Sequence, residues 1–203
     1  MHVEARVRHT DVMEDIAIAT SPDDIAYVRD NYVDAVELAS GRCTVERLLA
    51  LAGTALPRAS YALADRTQWF PRDWWRLCDD VGSPEHVREV FVLRYRAAAR
   101  ALGRDGAPDD DWAAYLAGLY GACLREVTPE TIVWKERLVE RLDRALADPR
   151  PDDPAWCDDA RADIAALDGL ERPFAACDRV RFGRPTSRDR LITGPRARYP
   201  RLA

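Results

Sequence analysis

The chain has 203 residues, a formal net charge of −5, 47% hydrophobic residues and 32% charged ones. Such a chain buries a core of its own without disulfide or metal staples. The mild acidity leaves no electrostatic footprint for nucleic acid or an anionic membrane, and no run of about 18 apolar residues is present to span a bilayer.

The five cysteines are scattered, odd in number and free of CxxC spacing, and two of the three histidines fall in the first nine residues. A structural zinc site and a disulfide framework are both unexpected, and the thiols read as reduced in a cytoplasmic protein. Lys135 is the only lysine; every other basic side chain is arginine, the codon bias of a GC-rich bacterial genome.

Met1 to Thr20 alternates only weakly and reads as a loose tail. Ser21, Pro22, Asp23 and Asp24 then form a helix start: an N-cap, a proline at the first position and two acids at the positive end of the dipole. Val36, Leu38 and Ala39 mark a short helix stopped by Gly41. Thr44 caps a second with Val45, Leu48, Leu49 and Ala52, ending at Gly53. Ser60–Leu63 and Gln68–Phe70 read as two strands joined through residues 64–67. Two short helices and a hairpin outline a winged helix-turn-helix.

Pro71 opens a helix with Trp74, Trp75 and Leu77. The next shows Val87, Phe91, Tyr95, Ala98 and Leu102 at helical spacing and stops at Gly103. Asp110 or Asp111 is expected to cap a helix running through Trp112, Tyr115, Leu119 and Cys123. Ala114, Gly118 and Gly121 line a side where another backbone can approach. Thr128-Pro129-Glu130 starts a helix to about Ala147, and Asp153-Pro154 one to about Leu167, with Gly169 just past its end. A last short helix is expected after Ser187.

The fold class is therefore mainly α: a small winged helix-turn-helix-like N-terminal module with a short hairpin, then an antiparallel helical domain. Residues 1–20 form a flexible segment, 21–80 the degenerate module, 81–170 the helical domain, and 171–203 an Arg-rich segment packed on the body.

Three features bear on function. Between Ser21 and Ser60 six acidic residues face four basic ones, so phosphate contact is disfavoured and DNA is an unlikely partner; reuse of the module for folding or a protein partner fits better. Lys135 sits mid-stripe among Ile132, Val139, Leu142 and Leu146. An ammonium there must pair, snorkel or lose its proton. It reads either as a catalytic lysine with Glu126, flanked by Arg125, Thr128 and Trp134, or as half of an ion pair with Glu126, Glu130 or a distant acid. The segment from Arg172 carries nine arginines against Asp178 and Asp189. There Arg184, Ser187, Arg188 and Arg190 form a candidate subsite for an anion, unless the arginines pair with acids of the body. No Ser-His-Asp or Cys-His arrangement is visible, and no metal or cofactor site suggests itself.

Tyr27-Val-Arg-Asp-Asn-Tyr32, Leu56-Pro-Arg-Ala-Ser-Tyr61, Leu124-Arg-Glu-Val-Thr-Pro-Glu-Thr-Ile132, Glu171-Arg-Pro-Phe174, Pro185-Thr-Ser-Arg-Asp-Arg-Leu191 and Arg196-Ala-Arg-Tyr-Pro200 resemble an actinobacterial family of unknown function labelled natural product biosynthesis protein. The resemblance implies a specialised-metabolite setting and carries no catalytic residue with it. Three functions are expected from these features. The first is an enzyme or accessory protein of such biosynthesis, acting on an anionic small molecule or a carrier protein. The others are a DNA-binding regulator and a non-enzymatic partner-binding module.

Overall fold

The computed structural model describes residues 16–181 and 185–203. Strand β1 (Ala17–Ala19) leads into α1 (Pro22–Asn31), where the Ser21 hydroxyl accepts from the Asp24 N–H at 3.1 Å. β2 (Tyr32–Asp34), α2 (Ala35–Ala39), the Thr44-capped α3 (Val45–Leu51), β3 (Tyr61–Leu63) and β4 (Gln68–Pro71) complete the N-terminal part. The helical remainder comprises α4 (Arg76–Val81), α5 (Val87–Ala101), α6 (Pro108–Leu116), α7 (Leu119–Cys123), α8 (Pro129–Ala147), α9 (Pro154–Leu170), α10 (Ala176–Arg181) and α11 (Gly194–Arg198).

The strands form one sheet in the order β1-β3-β4-β2, with β1 parallel to β3 and the other neighbours antiparallel. The expected hairpin β3–β4 is thus the centre of a four-stranded sheet. Within the segment expected to be loose to residue 20, Ala17–Ala19 instead form β1, where Ala17 and Ala19 are buried and Ile18 faces out. Three residues are too few for a period of two to show in sequence, and pairing with β3 specifies the strand. Residues 1–15 of that segment lie outside the described residues.

The single helix expected through Trp112 and Cys123 is two. Ala107, not Asp110 or Asp111, stands at the N-cap of α6, and the three aspartates fill its first turn. The break falls at Gly118 (φ +74°), where a Cβ would lie 2.6 Å from the Arg58 carbonyl oxygen. The Arg58 N–H donates to the Leu116 carbonyl at 2.9 Å, so the close backbone approach expected at Gly118 is what divides the helix. In α9 the chain runs on through Gly169 to Leu170, because that glycine meets no obstacle and the Glu171 N–H closes the last turn on Leu167.

One hydrophobic core joins the two parts. Val33, Leu48, Phe70 and Leu77 pack in the same cluster as Phe91, Tyr115 and Ile132, across the boundary drawn at residue 80. A second cluster holds α8, α9 and the C-terminal segment together through Leu138, Leu142, Ile164, Leu191 and Leu202. Tyr32, Tyr61 and Leu63 turn to a third cluster with Ala122 and Ala175. Among the described residues, no helix is long and apolar enough to cross a membrane.

Candidate functional site

Helix α8 opens with a reciprocal cap. The Thr128 hydroxyl accepts from the Thr131 N–H at 3.2 Å, and the Thr131 hydroxyl accepts from the Thr128 N–H at 3.0 Å. The buried face then runs through Ile132, Val133, Leu138 and Leu142. Lys135 lies on that side too, its side chain only 14% exposed.

Its partner comes from the far end of α9. The Arg125 N–H donates to Leu170 and the Arg172 N–H to Cys123, both at 2.9 Å, around a bridge between Leu124 and Glu171. This short ladder carries Glu171 into the interior, where its side chain is wholly buried. Glu171 Oε1 sits 3.1 Å from Lys135 Nζ and accepts from the Ser187 hydroxyl at 2.5 Å. Burial opposes the ammonium, but the Cys123 sulfur and the Glu171 carboxylate outweigh it and hold the Lys135 pKa above its usual value. Lys135 is a charged ion-pair member, and the depressed-pKa base considered from sequence is not what these surroundings produce.

A cavity of 330 Å³ opens beside this pair. Ala114, Leu119, Val139, Phe174 and Pro185 supply its apolar wall; Tyr120, Cys123, Lys135, Thr186, Ser187 and Arg190 supply its polar atoms. The cavity therefore lies between α6, α7, α8 and the C-terminal segment. A mostly apolar wall with one buried charge suits a small molecule having an apolar body and one polar end.

Behind Tyr120 stands a carboxyl pair that sequence did not single out. The Tyr120 hydroxyl donates to Asp111 Oδ1, and the Tyr95 hydroxyl to Glu136 Oε2 at 3.4 Å. Burial, and then the neighbouring Asp111, push the Glu136 pKa up to about 7 against the opposing effect of Arg104. Arg104 is shared between two acids, its Nη2 lying 3.6 Å from Glu136 and 2.6 Å from Glu140. Burial also holds the Tyr120 and Tyr95 phenols protonated.

Of the residues nominated from sequence, Lys135, Ser187 and Arg190 meet at the cavity. Arg125 and Glu126 are exposed and do not line it; Thr128 is the cap, and Trp134 packs half-buried against the second core cluster. Arg188 turns to Asp168 at 2.5 Å, and Arg190 pairs with Asp143. Arg184 lies outside the described residues. The anion site expected at the turn after Ser187 is filled from within. There the Asp189 carboxylate accepts from the Thr186 N–H and hydroxyl at 3.2 and 2.9 Å, and from Arg179 Nη2 at 2.6 Å. With Arg196 on Asp168 at 2.7 Å and Arg172 near Asp73 at 3.7 Å, Arg172, Arg188, Arg190 and Arg196 hold the tail to the body. No group of three or more His, Cys, Asp or Glu among the described residues could hold a metal ion.

The chain matches no curated protein and no solved structure. Residues 87–200 match DUF6058, a family of unknown function, and the chain belongs to that family. Every cavity-lining residue falls inside the matched span.

Proposed function

We propose that this member of a family without a stated activity is an enzyme or accessory protein of specialised-metabolite biosynthesis. In this reading it works in an actinobacterial cytoplasm and holds an anionic small molecule, free or carried by a carrier protein, in the cavity at Lys135. The observation that carries the reading is the convergence of the only lysine with Ser187 and Arg190 on one cavity. Lys135 has three N–H donors, and Glu171 lies 3.1 Å from its nitrogen on one side while the cavity opens on another. The apolar wall sets the body of the ligand, and the ammonium sets its charged end. The resemblance of the motifs from Tyr27 to Pro200 to natural product biosynthesis proteins supports the setting, and five cysteines outside any disulfide fit a reducing compartment.

The test compares octanoate with octanol, the same chain with and without the anion, by thermal shift. A ligand that binds the native state raises its unfolding midpoint. Octanoate is expected to raise it more than octanol does. The double variant Lys135→Met/Glu171→Gln, which removes both charges together, should lose that preference while keeping its helical circular dichroism. Equal shifts for the two probes, or a preference that survives in the double variant, would overturn the reading.

A second reading rests on α2 and α3, where Val36 is 68% and Leu49 41% exposed. Read as a winged helix-turn-helix-like module, this part would dock a protein rather than DNA. Asp34, Glu37 and Glu46 lie there, while Arg42 and Arg47 already face Asp79 and Glu85. Steeply salt-dependent binding to duplex DNA would instead make the chain a transcriptional regulator.

A further inference from the structure

We propose that Ser187 is a nucleophile for acyl transfer: Glu171 takes its proton, Lys135 balances the charge on the tetrahedral oxygen, and the cavity holds the acyl chain of an ester or thioester. The inference rests on the cavity reading above and names its substrate class, an activated acyl group whose free acid is the anion held at Lys135.

Two side chains meet on one oxygen of a third. Glu171 Oε1 accepts from the Ser187 hydroxyl at 2.5 Å and lies 3.1 Å from Lys135 Nζ. Ser187 and Lys135 both line the cavity, while Glu171 is wholly buried behind them. A hydroxyl is activated by this kind of arrangement: a nucleophile in hydrogen-bond reach of a base, and the base oriented by a further group. As an ion-pair member Glu171 is a carboxylate, the form that accepts a proton. Its Oε2 is buried without a hydrogen-bond partner, so donors do not saturate it. The turn that carries Ser187 is fixed from its flanks. Asp189 accepts from the Thr186 N–H and hydroxyl, and the Thr186 hydroxyl accepts from the Asp189 N–H at 3.2 Å. A nucleophile on such a turn has little orientational freedom left to lose on attack.

The acyl chain lies against Leu119, Val139 and Phe174 of the cavity wall. Ser187 Oγ bonds to the acyl carbon as its proton passes to Glu171 Oε1, and the carbonyl electron pair moves onto oxygen. The negative charge that leaves Glu171 now sits on the tetrahedral oxygen, and the ammonium that balanced the first balances the second. Charge is moved within the site rather than created there. Collapse then breaks the bond to the leaving oxygen or sulfur, which takes the proton from Glu171, and an ester remains at Ser187. Water attacks that ester by the same route, releases the carboxylic acid and restores the hydroxyl.

The test mixes the full chain with p-nitrophenyl octanoate, follows nitrophenolate release, and maps any acylated residue by mass spectrometry after an acid quench. Wild type is expected to carry one octanoyl group, on Ser187. Ser187→Ala, which leaves the Lys135–Glu171 pair in place, should carry none and release nitrophenolate about a hundredfold more slowly. Fast deacylation would hide the adduct but not that loss. Lys135→Met/Glu171→Gln keeps the Ser187 hydroxyl and an amide acceptor for it, and should react about a hundredfold more slowly with its helical circular dichroism retained. An adduct on Cys123 or Lys135 instead, or release unchanged in Ser187→Ala, would overturn the nucleophile. A double variant that reacts at the wild-type rate would overturn the base. The ester is uncharged, so the two readings fail separately. Octanoate bound at Lys135 while Ser187 stays unreactive sinks the nucleophile alone; Ser187 acylated, with equal shifts for octanoate and octanol, sinks the anion preference alone.

Discussion

Two buried tyrosine–carboxylate contacts in this protein use the same chemistry to different ends. On the sheet side, the Tyr61 hydroxyl donates to Asp178 Oδ2 at 2.7 Å, and the Ala175 N–H donates to the same oxygen at 2.9 Å. Both side chains are wholly buried, and the Tyr61 ring lies edge-on to Tyr32 at 4.8 Å. On the cavity side, Tyr120 donates to Asp111, but a second acid stands behind and an open wall in front. The first contact closes α10 onto β3. The second stands beside a cavity that Tyr120 lines. A buried tyrosine–acid bond is thus a staple by default, and on the cavity side it is burial, then the neighbouring Asp111, that raises the pKa of Glu136.

Removing the sealed acid should cost most. Asp178→Ala leaves the Tyr61 hydroxyl and the Ala175 N–H without their acceptor in the interior, and a loss of about 2–4 kcal/mol is expected in urea denaturation at pH 7. Asp111→Asn keeps an acceptor for Tyr120 and removes one of two competing acids, so its cost should stay under about 1 kcal/mol. Equal losses at the two sites would erase the distinction between them.

The next effect is one of pH. The folded pKa of Glu136, about 7, lies above the ordinary 4.5, so the folded state holds this proton more tightly than the unfolded chain does. Its stabilising effect is complete below about pH 4.5 and is lost as pH rises through 7. At about 1.4 kcal/mol per pH unit the ceiling is about 3 kcal/mol; with a third of the side chain in water, screening reduces this to about 1–2 kcal/mol. Glu136→Gln, which cannot titrate, should therefore gain about that much on wild type between pH 4.5 and pH 8 in denaturation experiments. Parallel stability curves for the two proteins would count against the pair.

Helix starts were legible because their caps are local: Ser21, Thr44 and Thr128 each bond an N–H within three residues. Lys135 was legible as a charge out of place in an apolar stripe. Its partner was not, because Glu171 is buried by the ladder it forms with Leu124, a long-range pairing with no periodic trace. Asp111 and Glu136 were hidden by composition, since in a chain this rich in acids a buried carboxyl looks like any solvated one. The tail arginines misled in the opposite direction. Their density suggested a free anion site, whereas Asp143, Asp168 and Asp189 had already taken Arg190, Arg188 and Arg179.

The smallest expected effect lies at the rim, where staple and site meet in one side chain. Arg190 lines the cavity, yet it pairs with Asp143 in an exposed contact, the two side chains 48% and 39% in water. Exposed pairs contribute roughly 0–1 kcal/mol, so Arg190→Ala should shift the unfolding free energy by under about 1 kcal/mol. Arg188 is the contrasting case. It shares Asp168 with Arg196, and the two members of its pair are only 24% and 27% exposed, so Arg188→Ala should cost more. If Arg190→Ala weakens octanoate while stability holds, the rim belongs with Tyr120 and Asp111 on the working side of the comparison. If it destabilises as much as Arg188→Ala and leaves octanoate unaffected, it belongs with Tyr61 and Asp178 among the staples.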